Sequence, residues 1–119
     1  MITLKAENIK LISSNQRLVQ GKGRWYANPK YAESKTLLYW HVKKCLKDYP
    51  DFKMLKENIG IIINVKTYND IDNCIKIILD CLQDLKVIEN DRAVISLAVN
   101  KIQIKKGKPD SVEVKVYEL

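Results

Sequence analysis

The sequence predicts an α+β domain in which two helices pack on a small mixed sheet, in the order β-(hairpin)-α-β-α-β-β. Three observations carry this. The 119 residues suffice for a single domain, 1–119, with no room for a second module. Two stretches repeat apolar residues at helical spacing, and three others are short β-branched runs bounded by turn residues. With 46% hydrophobic and 29% charged residues and only 4 Gly and 3 Pro, the composition excludes collagen-like and wholly disordered chains.

Residues 2–9 alternate weakly and then meet Ser13-Ser14-Asn15, which reads as an opening strand ending in a polar turn. Residues 16–27 place Gly21 and Gly23 about a basic tip, a hairpin or loop. Asn28-Pro29 then supplies a capping residue followed by proline at the first helical position. Tyr31, Leu38, Val42, Cys45 and Tyr49 recur at helical spacing, so a helix runs over about 29–48 and stops at Pro50. Residues 59–68 are β-branched and read as the central strand, buried on at least one face. A second helix starts near Asp72 and ends near Lys86, because Ile71, Ile75, Ile78, Leu82 and Leu85 fall on one stripe. Residues 94–104 form a long apolar-rich strand, and the turn 105–110 leads into a last strand where Val112, Val114 and Val116 mark one face. There is no internal repeat or low-complexity segment.

Charge is unevenly placed. Of the net +7, residues 1–60 hold 12 basic and 5 acidic side chains, whereas residues 61–119 hold 9 of each. A field of this sign gathers polyanions, so nucleic acid is the leading partner class, with plain solubility as the other use of the charge. Lys35, Lys43, Lys44 and Lys47 share the first helix, either as a solvated face or as phosphate contacts. No run approaches the ~20 apolar residues of a membrane span and the polar start lacks a signal-peptide layout, which predicts a cytosolic protein. Cys45, Cys74 and Cys81 are odd in number and never spaced C-x-x-C, and they read as reduced core residues. The lone His41 has no ligand partner at metal spacing.

Asp70 and Asp72 lie where the central strand stops and the second helix starts, close enough for both carboxylates to converge. A divalent cation is the common way to keep two such groups ionised, and hard oxygen donors suit magnesium or manganese. The plainer reading is that one caps the helix and both favour its dipole. Lys76 stands one turn beyond Asp72 on the same face, where it can orient a phosphate or form an ordinary i,i+4 ion pair. Asp91 follows the second helix, and a sheet returning beside residues 59–68 would bring it to the same end. An EF-hand is excluded by Cys74 and Ile75, and P-loop, nucleophile-elbow and zinc signatures are absent.

Asp70-x-Asp72-Asn73-x-x-Lys76-x-x-x-Asp80-x-Leu82, followed by Val87-Ile88-Glu89-Asn90-Asp91, resembles the signature of the RusA family of Holliday junction resolvases, found in bacteria and their phages. Ser14-Asn15-Gln16-Arg17, the basic loop before the first helix and the chain length extend the resemblance to nearly the whole chain. It implies a homodimeric, magnesium-dependent endonuclease of DNA recombination and repair that cuts two strands of a four-way junction symmetrically. By position, Asp70, Asp72 and Asp91 match the family's acidic metal-binding residues and Lys76 its essential lysine. Asn73 and Asp80 match the motif without a defined duty.

Two departures stand out. Asn90 replaces an acid often paired with Asp91, which bears on a second metal. Only Lys66 precedes the first Asp where the family often has several arginines, which shifts the expected DNA contacts toward Asn15, Arg17, Lys22 and Arg24 beside Lys66. Trp25 and Tyr26 can stack on exposed bases or serve the fold. Two symmetric cuts call for two acidic clusters, hence a dimer, whose interface falls to the sheet or to the second helix, where the strip Cys74, Ile77 and Cys81 is either that interface or more core. The rivals are a non-catalytic nucleic-acid-binding protein and a small metal-dependent nuclease of another substrate.

Overall fold

The computed structural model describes residues 1–12, 18–21 and 23–119. Strand β1 spans Ile2–Ile9, β2 Leu18–Gly21 and β3 Arg24–Ala27; helix α1 runs Pro29–Leu46, β4 Ile59–Thr67, α2 Ile71–Asp84, β5 Val94–Gln103 and β6 Asp110–Glu118. The expected α+β architecture and element order are present. β2 and β3 form their own antiparallel hairpin, and the other four strands make one sheet in the order β1-β6-β4-β5. β6 runs antiparallel to both β1 and β4, while β5 runs parallel to β4.

Alternation along β4 and β6 creates the core. Ile59, Ile61, Ile63 and Val65 are at most 1% exposed, and they face the helices together with Val112, Val114 and Val116. Ile2, Leu4 and Ala6 extend this face onto β1. α1 contributes Leu38 and Val42, and Asn28 caps it by accepting from the Lys30 amide. α2 buries Cys74, Ile77, Ile78, Cys81 and Leu82.

That set corrects the expected α2 stripe. Ile71, Ile75 and Leu85 are only half-buried, so the buried face is turned by roughly 50° from the stripe read in sequence. The reason is that α2 leans on α1 as well as on the sheet, with the Tyr39 hydroxyl donating to Asp84 at 2.6 Å. Burial and then Asp84 push the Tyr39 phenol up. The strip Cys74, Ile77 and Cys81, offered in sequence as a dimer interface, is therefore core. Burial pushes the Cys74 thiol up to about 11 and the Cys81 thiol to about 12, so both stay protonated at neutral pH and are poor nucleophiles.

α2 ends in a Schellman turn. Lys86 takes φ 62°, and the Val87 and Ile88 amides return to the Leu82 carbonyl.

The two sheet edges are treated differently. The last turn of α1 and the residues after it dock along β1, where the Thr3 amide donates to the Tyr49 hydroxyl at 3.1 Å and the Lys5 amide to Cys45 Sγ at 3.4 Å. That edge is covered. Among the described residues nothing pairs with the outer edge of β5, which exposes Ile95, Leu97 and Ile102. No helix among the described residues is long and apolar enough to cross a membrane.

Gly60 lies opposite Tyr117 in the β4–β6 register, and a Cβ there would collide with the Tyr117 ring. Gly60→Ala should therefore lower stability by about 1–3 kcal/mol in urea denaturation. Adding Tyr117→Ala should recover part of that loss, so that the double substitution costs less than the sum of the two singles.

Candidate active site

β4 delivers the acidic pair. The strand ends at Thr67, and Asp70 takes the N-cap position of α2 in an extended conformation (φ −66°, ψ 147°). Its side chain makes no capping hydrogen bond, so the capping part of the plainer reading does not hold for Asp70. Asp72 lies in the first helical turn, and both residues are exposed. The positive end of the helix dipole favours negatively charged side chains at these positions. Lys76 is exposed one turn on. The ion pairs among the described residues are Lys5–Glu113 and Lys115–Glu113, so Lys76 is not engaged by Asp72.

The turn before Asp70 is pinned by polar groups that sequence reasoning passed over. Asn69 donates its amide N–H to Thr67 Oγ1 at 3.1 Å, and its side chain donates to the Leu11 carbonyl at 2.6 Å. The Leu11 amide in turn donates to the buried Asp110 carboxylate at 2.7 Å. Ser34 of α1 donates to the Lys10 carbonyl. Residues 10–12 are thus strapped between α1, β6 and the β4–α2 turn, and the Ile104 amide ties β5 to Thr67 at 3.3 Å. A signal for this network exists in the sequence. Thr67 is in phase with Ile59 to Val65, and Asp110 with Val112 to Val116, so both are polar residues at inward-facing positions.

Asp91 does not join Asp70 and Asp72 within one chain. It opens a short 3-10 turn, Asp91–Ala93, which Asn90 caps by accepting from the Arg92 amide at 2.9 Å. β5 then begins beside the start of β4, with Val94 opposite Ile59 and Gln103 opposite Thr67. The expected return to the same end fails because β4 and β5 are parallel. The length of β4, roughly 26 Å at about 3.3 Å per residue, lies between the two ends. Consistently, among the described residues no group of three or more His, Cys, Asp or Glu is arranged to hold a metal ion.

Of the expected DNA contacts, Lys66 is exposed on the sheet face turned away from the helices. It lines a groove of about 330 Å³ with Lys5, Asn64, Asn100 and Glu113. Arg24 is on β3, paired in register with Gly21. Asn15, Arg17 and Lys22 lie outside the described residues.

Residues 10–117 match the family model of endodeoxyribonuclease RusA, nearly the whole 119-residue chain. No curated protein matches it.

The Leu11 strap makes its own test. Asn69→Ala should cost about 1 kcal/mol in urea denaturation and Asp110→Ala about 1–3, since the latter leaves a buried amide without an acceptor. Because both residues grip Leu11, their effects should be non-additive by about 0.5 kcal/mol or more in a double-mutant cycle.

Proposed function

The chain belongs to the RusA endodeoxyribonuclease family, whose members are nucleases acting on Holliday junctions; on that premise we propose a homodimer that opens a four-way junction by two symmetric, magnesium-dependent cuts. The observation that carries this reading is the pair Asp70 and Asp72, exposed, uncapped and held at the end of the central strand by the Asn69–Leu11–Asp110 network. Two exposed carboxylates are a donor set suited to magnesium, which is commonly bound through one or two carboxylates while keeping several waters. A magnesium or manganese ion held there would supply charge neutralisation at the phosphate and a bound water of lowered pKa.

The chain's own groups account for the rest. Asp70 and Asp72 would hold the cation against the scissile phosphate, and Lys76, one turn along α2, would direct its charge at the leaving oxygen. Asn15, Arg17, Lys22, Arg24 and Lys66 serve as phosphate contacts that set register along the arms.

Asp91 enters from a second copy. Within one chain it is a strand length away, whereas a two-fold axis reverses that order. The β5 edge, unpaired among the described residues, suits such an axis: of its ten residues only Lys101 is charged, and Ile95, Leu97 and Ile102 are exposed. Pairing β5 antiparallel with its copy carries the partner's Asp91 to the end where Gln103 and Ile104 meet Thr67 and Tyr68. There it is about two strand spacings, roughly 10 Å, from the end of β4. Each centre then draws Asp70 and Asp72 from one protomer and Asp91 from the other, and the dimer has two centres for two strands.

Light scattering in reducing buffer should accordingly return about twice the 13.8 kDa chain mass. Asp70→Asn, Asp72→Asn and Asp91→Asn should each abolish magnesium-dependent cleavage of a labelled junction while leaving binding intact or tighter. Mixing the inactive Asp70→Asn and Asp91→Asn proteins is the sharper measurement. A shared site regenerates one intact centre per mixed dimer and restores single nicks; a site contained in one chain restores nothing.

A further inference from the structure

The outward face of α1 bears a feature that the cleavage centre does not use. Trp40, Lys43, Lys44 and Lys47 follow one another at i, i+3, i+4 and i+7, so they form one stripe. Together they line an open concavity of about 370 Å³. Trp40 is 54% exposed although the inner face of α1 is well buried through Leu38 and Val42. Its ring is held, with Lys44 Nζ 5.2 Å from the centroid and His41 meeting it edge-on at 4.9 Å. Residues 40–47 contain three lysines and no acid, and none of the three is in an ion pair among the described residues. Asp48, next in the chain, and Glu7 line a second groove that shares Lys44 with this one.

Lysines in a last helical turn already complement the helix dipole, which explains Lys43 and Lys44 but not a large aromatic left open to water beside them. A flat ring framed by cations matches the chemistry of a nucleic-acid strand, with bases to stack and phosphates to neutralise. The position also suits a junction. Ser34 touches the strap beside the Asp70 turn, and the stripe begins six residues further along α1. At 1.5 Å per residue it lies roughly 9–20 Å along the helix, less than one ~34 Å turn of duplex.

We propose that the Trp40–Lys43–Lys44–Lys47 stripe is a second nucleic-acid contact, outside the cleavage centre, that holds a strand of a junction arm with Trp40 stacked on an unpaired base and the lysines on neighbouring phosphates. The proposal rests on reading the chain as a junction nuclease, and it adds a surface that this reading does not require.

The test uses the full-length dimer made non-cutting by Asp70→Asn, with Trp25→Phe so that Trp40 is the one remaining tryptophan of the two. Titration with a four-way junction, and separately with oligothymidylate, should quench Trp40 fluorescence saturably. Replacing Lys43, Lys44 and Lys47 by Gln should flatten the log–log salt dependence of junction binding by about 0.7–0.9 for each phosphate that the protein no longer neutralises. Trp40→Ala should weaken binding roughly tenfold. In the cutting-competent protein the lysine triple should raise KM and spare kcat. Unchanged fluorescence together with an unchanged salt slope overturns the proposal. So does a fluorescence response to anionic vesicles with none to either DNA, which would make the stripe a membrane contact. A parent protein that binds junctions without cutting them defeats the nuclease reading instead, and the quench by DNA still decides the stripe on its own.

Discussion

The parallel pairing of β4 with β5 is the constraint from which the rest of the architecture follows. Two parallel neighbours cannot be joined by a tight turn, so the chain leaving β4 must travel back along the sheet before β5 begins, and α2 is that return. The helix therefore starts where β4 ends, which puts Asp70 and Asp72 at its positive end with their carboxylates uncommitted. By the same geometry the segment after α2 arrives at the opposite end of the sheet, which carries Asp91 away from them. On the proposed reading, a centre that uses all three acids is assembled from two chains.

The inequality of the sheet edges points the same way. α1 and the residues after it satisfy the outward amides of β1 through Tyr49 and Cys45, so that edge offers no template to another strand. Among the described residues β5 has no partner on its outer edge, and it carries one charge in ten residues, few of the charges that usually protect an open edge. The strap at residues 10–12 serves the opposite end of the molecule. Its backbone is held by Ser34, Asn69 and Asp110 from three separate elements, so the turn that presents Asp70 is set by buried hydrogen bonds rather than left as a free loop.

Electrostatics divides the surface between two duties. The acidic pair is a local concentration of negative charge, while the basic surplus of residues 1–60 is a broad attraction for phosphates. α1 belongs to that basic half, and its lysines face outward because Leu38 and Val42 already fill the inward stripe.

Local periodicity determined the two helices and the strands of the main sheet, because alternation in β4 and β6 and helical spacing in α1 are short-range properties that a sequence states directly, whereas the β2–β3 hairpin stayed open between hairpin and loop and the 3-10 turn Asp91–Ala93 went unread. The Asp70-x-Asp72 turn and its family were legible for the same reason, as all their residues are near neighbours in the chain. What only the tertiary structure decided is what depends on pairing partners. The insertion of β6 between β1 and β4, the parallel sense of β5 and hence the place of Asp91 follow from contacts across long sequence separations. So does the rotation of α2 that turned the strip Cys74, Ile77 and Cys81 from a candidate interface into core, because Tyr39 and Asp84 meet from different helices. Asp110 shows the limit most plainly: its inward phase with Val112 was visible, but its acceptor role toward Leu11 needed the chain to close on itself across 99 residues.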